Sequence, residues 1–136
     1  EAFSGMPRYM HRALIEAYVR TAMFQELPQE VIERTLRPWI DDGGQAAFYR
    51  QIAQADDRYT REVEPHYSQL QQPTLILWGA EDSWIPADRG NRLASMLPDA
   101  SLSVIDSAGH LVIEEKPKRL LEEISGFLGD QRGVIS

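Results

Sequence analysis

The chain has 136 residues, enough for one domain or a large part of one. It is 43% hydrophobic and 26% charged with a net charge of −7, a soluble globular composition whose sign disfavours nucleic acid or an anionic membrane as partner. There is no cysteine, which excludes disulfides, thiolate catalysis and cysteine zinc sites and is compatible with a reducing, cytoplasmic setting. No apolar run reaches the about 18 residues that a membrane helix needs. The opening "EAFSGMPRYM" is neither a signal peptide nor a usual start, so the chain is expected to begin inside a longer protein.

Residues 1 to 70 read as consecutive helices. Apolar residues recur at Met6, Met10, Ala13, Leu14, Ala17, Tyr18, Ala22 and Met23, a spacing that predicts a helix burying that stripe. In "LPQEVIERTLRPW", Pro28 is expected to open a helix and Pro38 to end it, with Val31, Ile32 and Leu36 on its inner side. "DDGG" at 41 to 44 reads as a hinge-like break, and "QAAFYRQIAQA" as a short helix. A further helix is expected through Val63 to Leu70. This stretch holds eight arginines and no lysine, a solvated helical face.

From residue 73 the period changes. "TLILW" is a continuous apolar run, suited to a strand covered on both faces. "ADRGNRLASML" is an amphipathic helix stopped by Pro98, and "SLSVID" is a second strand. "EKPKRLLEEISGFL" is a closing helix with Leu120, Leu121, Ile124, Phe127 and Leu128 expected on its buried side. Strand, helix, strand, helix with short links predicts parallel strands and an α/β class. Two strands make too small a sheet to be covered on both faces, so more strands are expected than the chain supplies.

Ligands of open α/β sheets bind beyond the carboxyl ends of the strands. Asp82 follows the first strand and His110 the second. Parallel neighbours lie about 4.8 Å apart, so their following loops can bring the two side chains into hydrogen-bonding range. A carboxylate beside an imidazole fixes its tautomer and stabilises the imidazolium, as a general base requires. Singly, Asp82 reads as a turn residue and His110 as surface; at the ends of adjacent buried strands they read as a catalytic pair. Gly79 is expected to permit a sharp turn, Gly109 to leave the backbone beside His110 unencumbered, and Pro86 to start the next helix. Trp84 and Ile85 are candidates to wall off water.

"PTLILWGAEDSWIP" followed by "SLSVIDSAGHLVIEEKP" resembles the C-terminal part of the α/β-hydrolase superfamily, covering residues 73 to 128. The resemblance implies that Asp82 is the triad acid, in preference to Glu81, and His110 the triad base. It makes residues 1 to 70 a helical cap and 71 to 136 the closing βαβα of the core. Chain order in that family is nucleophile, acid, histidine, with the nucleophile in a G-x-S-x-G elbow. No such motif occurs in the chain, and Ser4, Ser83 and Ser107 read as structural or solvated. The implied function is hydrolysis of a small or medium ester-like substrate by a triad whose nucleophile lies upstream, so that the chain alone is inactive.

Trp39, Phe48, Tyr49 and Tyr67 are candidate roof residues of the substrate pocket, with the alternative that they only pack the cap, and Trp84 is a further candidate to contact substrate. An aspartate nucleophile would instead make a haloalkane dehalogenase or epoxide hydrolase, for which Tyr49, Tyr59 and Tyr67 are available. A third reading is a non-catalytic ligand-binding relative, for which an acid and a histidine at adjacent strand ends have no use. His11, His66 and His110 have no metal-site spacing, and no metal or cofactor is expected. The expected partners are a small-molecule substrate and the N-terminal half of the same protein, with a homodimer possible through the open sheet edge.

Overall fold

The structure is a computed structural model that describes residues 5–132. The chain divides into two compact units. One comprises Glu1–Thr21 and Glu26–Glu62; the other comprises Ala22–Gln25 and Val63–Ser136. Ser4 lies outside the described residues.

The first unit is helical. Helix α1 spans Arg8–Thr21, α2 spans Gln29–Leu36, α3 spans Asp42–Ala53 and α4 spans Arg58–Val63, its last residue in the second unit. Helix α1 buries His11, Ile15 and Val19, spaced four apart on one face. Of the expected stripe Ala22 is buried and Leu14 and Met23 are half-buried, but Met10 is 47% exposed and Tyr18 37%. Ile15 and Val19 offer the core more apolar surface than Ala13 and Ala17 would. His11 can join them because both its ring nitrogens find partners in the unit. Against this face α2 buries Ile32 and Leu36 completely.

Pro28 precedes α2, with φ −52° and ψ 142°, as expected for a helix start. Pro38 does not stop the winding. The chain passes from α2 into a 3₁₀ turn over Arg37–Trp39, where Pro38 sits in the first turn and its missing N–H costs nothing. The expected break at "DDGG" is instead a helix start: Asp41 caps α3, its side chain accepting from Gly44 N at 2.6 Å. A Cβ on Gly44 would fall 2.2 Å from the Pro38 carbonyl oxygen, so the glycine serves close packing of helix on turn.

In the second unit a 3₁₀ helix, Glu64–Gln69, leads to β1, Thr74–Gly79. Helix α5, Asp88–Met96, connects it to β2, Ala100–Ile105. Then come α6, Val112–Glu115, and α7, Pro117–Arg132. The strands are parallel, in register from Thr74 opposite Ala100 to Gly79 opposite Ile105. Pro86 does not begin α5 itself, but its carbonyl accepts from Arg89 N and opens the winding into the helix.

Gly90 of α5 lies against the Trp78 ring and Leu102. On the α7 side Ile105, Ala108 and Leu120 form a core flanked by Leu77 and Val112. Of β1 only Ile76 and Gly79 are buried, fewer than its apolar run predicts, because two strands with single helices leave each face partly open. Helix α7 also departs from expectation. Leu120 is buried and Phe127 half-buried, whereas Leu121, Ile124 and Leu128 are 66%, 41% and 53% exposed. The inner stripe runs through Leu120, Glu123 and Phe127 instead, and Glu123 has a polar partner there in the Ser103 hydroxyl, 3.0 Å away. Among the described residues no helix is long and apolar enough to cross a membrane.

Candidate active site

Beyond β1 the chain folds tightly back on itself. Ala80 N donates to Ile105 O, and Glu81 N to Ala108 O, both at 3.0 Å. Asp82 then closes a side-chain turn, its Oδ1 accepting from Trp84 N and Ile85 N at 2.9 Å each. That leaves Oδ2 for His110 Nδ1, 2.8 Å away. The Asp82 side chain is only 4% exposed, against 30% for His110. A carboxylate can only accept, so the proton of this contact lies on Nδ1 and the neutral ring has its lone pair on Nε2.

Two glycines make the meeting of the strand ends possible. A Cβ on Gly79 would fall 2.2 Å from Gly109 O and 2.4 Å from Ala108 O. No described glycine has positive φ, so Gly79 is required for space and not for the sharp turn expected of it. A Cβ on Gly109 would meet Ala22 O at 2.7 Å and Phe24 N at 2.8 Å, so the backbone beside His110 is closely packed and not unencumbered as expected; the glycine makes room for the neighbouring chain. Between the glycines Ser107 has φ 57°, the left-handed region, and its carbonyl accepts from Gln25 Nε2 at 2.8 Å.

Glu81, the neighbouring acid, is occupied elsewhere: its Oε2 accepts from Ala108 N at 3.0 Å. Trp84 lies over the His110 ring, with centroids 5.0 Å apart and planes tilted by 36°. Ile85 is no wall, being 43% exposed, because its backbone turns to accept from Trp78 Nε1 at 2.9 Å. Tyr67 is half-buried in the 3₁₀ helix before β1, and its carbonyl accepts from Leu70 N.

Trp39, Phe48 and Tyr49 belong to the first unit, where they surround His11. Phe48 lies edge-on to His11, Trp39 and Tyr49, with centroids 6.2, 6.0 and 5.4 Å away. His11 Nε2 is 2.8 Å from the Trp39 carbonyl, which can only accept, so Nε2 carries a proton. In the neutral ring Nδ1 then accepts from the Tyr49 hydroxyl at 3.0 Å. Burial pushes the Tyr49 phenol above its ordinary value.

Two polar residues central to these arrangements carry no motif. His11 reads as an unremarkable helical residue until its partners are placed. Glu115 is buried, its Oε1 accepting from Phe24 N and Gln25 N and its Oε2 from Gly109 N. The available signal for Glu115 was the pair of acids, Glu114 and Glu115, following the apolar run "LVI" directly after His110. Among the described residues no cluster of three or more potential ligands could hold a metal ion.

Residues 2–123 match the alpha/beta hydrolase family. The chain is 33% identical over 107 residues to the uncharacterized hydrolase YugF of Bacillus subtilis, covering 75% of this chain and 36% of that protein. It is 24% identical over 105 residues to monoacylglycerol lipase abhd6-B of Xenopus laevis, covering 76% of this chain and 30% of that protein. The crystal structure of an alpha/beta hydrolase fold protein from Burkholderia ambifaria superposes with a TM-score of 0.84 at 41% identity, covering 90% of this chain and 46% of that one. The chain thus spans less than half the length of each of these relatives. By the family match and by the likeness in fold, it belongs to the alpha/beta hydrolase family.

Proposed function

We propose that this chain supplies the acid and base of a Ser-His-Asp triad acting on a small or medium ester, the serine lying outside residues 1–136. The observation that carries the reading is Asp82 Oδ2 at 2.8 Å from His110 Nδ1, a buried carboxylate on a partly exposed imidazole. With Nδ1 committed, Nε2 takes the proton of the serine hydroxyl as its oxygen attacks the ester carbonyl. Asp82 stabilises the imidazolium. Nε2 then returns the proton to the departing alcohol, leaving an acyl-serine that a water, activated the same way, hydrolyses. Trp84 shields one face of the ring from solvent, which strengthens the pair. No cofactor is needed.

The ester class is supported by the likeness to a monoacylglycerol lipase, whose name specifies an ester. In this reading residues 1–70 form the cap, and Trp39, Phe48 and Tyr49 hold it in shape through their cluster around His11. The partners are the substrate and the polypeptide segment that bears the nucleophile. Ester hydrolysis by the longer polypeptide tests the reading. Loss of turnover in His110→Ala is expected, and turnover indifferent to that change would contradict it.

A further inference from the structure

We infer that Glu115 is a positioning residue for His110, a role that rests on the triad reading above. The turn that presents His110 has every amide from Ala108 to Leu111 engaged. Ala108 N donates to Glu81 Oε2 at 3.0 Å, and Gly109 N to Glu115 Oε2 at 2.7 Å. His110 N and Leu111 N both donate to Ala22 O, at 2.7 and 3.3 Å. Ala22 belongs to a short strap, Ala22–Gln25, that packs within the second unit although it lies between α1 and α2 in sequence. Glu115 holds that strap with its other oxygen, accepting from Phe24 N at 2.8 Å and Gln25 N at 2.7 Å.

One carboxylate therefore bridges the strap to the histidine turn, and the strap in turn fixes the His110 amide. Both oxygens of Glu115 act only as acceptors, as the ionised form provides, and hydrogen bonds to a charged acceptor are the strong kind. Removing the side chain orphans the Phe24, Gln25 and buried Gly109 amides together and leaves Ala22 O and Gln25 Nε2 to tie the strap to the turn. The His110 ring then loses the registration that keeps Nδ1 on Asp82. The three groups that Glu115 accepts from are all backbone amides, so it acts on the ring through the backbone.

The test uses the longer, nucleophile-bearing polypeptide with ¹⁵N-labelled histidine, comparing wild type, Glu115→Ala, Glu115→Gln and the control Glu123→Gln. The ring ¹⁵N shifts report which nitrogen of His110 carries the proton. Wild type and control are expected to hold a single Nδ1–H tautomer. Glu115→Ala is expected to populate both tautomers and to lose slow amide exchange at Phe24, Gln25 and Gly109. Glu115→Gln has one acceptor oxygen and falls between; it carries the test if Glu115→Ala does not fold. In the longer, nucleophile-bearing polypeptide, kcat of Glu115→Ala should drop by up to about 10²-fold, with KM changed less than about two-fold.

A Glu115→Ala chain that keeps the wild-type tautomer, or a variant enzyme that keeps its kcat, overturns the inference. The tautomer readout needs no turnover. A tautomer that responds to Glu115 in a protein without esterase activity would support positioning and remove the triad reading instead.

Discussion

The two oxygens of Asp82 do different work: Oδ1 shapes its own loop and Oδ2 orients His110. Asp82→Asn separates them. The amide carbonyl can still receive the Trp84 and Ile85 N–H groups, so the loop survives, but the NH₂ then faces His110 and reverses the tautomer. Thermal unfolding should change little while kcat of the nucleophile-bearing enzyme falls about 10⁴-fold. Asp82 and Glu81 are adjacent and chemically alike, so residue chemistry could not rank them; the resemblance to a family did. Their positions separate them, since Glu81 holds the Ala108 amide and Asp82 the imidazole. His11 and Glu115 were not legible for a different reason. A buried polar residue is recognised by its partners, and theirs lie 28 and 38 residues away for His11 and up to 91 for Glu115.

Elements were legible where the pattern allowed one solution. Strand, helix, strand with short links admits little besides parallel pairing, and β1 and β2 pair in parallel. The faces of α1 and α7 were not, because each helix carries more apolar positions than one stripe can use and packing selects among them. The junction of the strand ends makes a sharp prediction. Gly79→Ala sets a methyl 2.2 Å from Gly109 O, so the histidine turn must move away from β1. Urea unfolding should show a loss of at least about 1–3 kcal/mol, and unchanged stability would mean that the turn is not held there.

In the first unit, Arg12 donates to Glu33 and holds that carboxyl below its ordinary value of 4.5, with Gln29 contributing. A lowered folded value means stability that is fully present above 4.5 and lost as pH falls through the folded value. Glu33→Gln should therefore differ from wild type at neutral pH by a small, salt-sensitive amount, small because both side chains are solvent-screened. The difference should vanish in acid unfolding curves taken well below pH 4.5.

At the scale of the molecule, the chain is two compact units, with Leu121, Ile124 and Leu128 of α7 open to solvent. It spans 36% and 46% of two of the hydrolases it resembles. Its family could be read from the sequence because the segments carrying Asp82 and His110 each follow an apolar strand in the pattern that the family resemblance rests on. Its substrate could not, since pocket shape depends on side chains brought together by tertiary packing and on polypeptide beyond these residues. The central claim is that His110, set by Asp82, activates a serine located elsewhere. The measurement that tests it most directly is labelling with a fluorophosphonate, read by intact mass and peptide mapping. It would be applied to the 136-residue chain, to the longer polypeptide and to its His110→Ala variant. The account predicts a label on a serine outside this chain, slowed about 10⁴-fold or more in the variant. A label on Ser83 or Ser107 of the chain itself, or equal labelling of the variant, would contradict it.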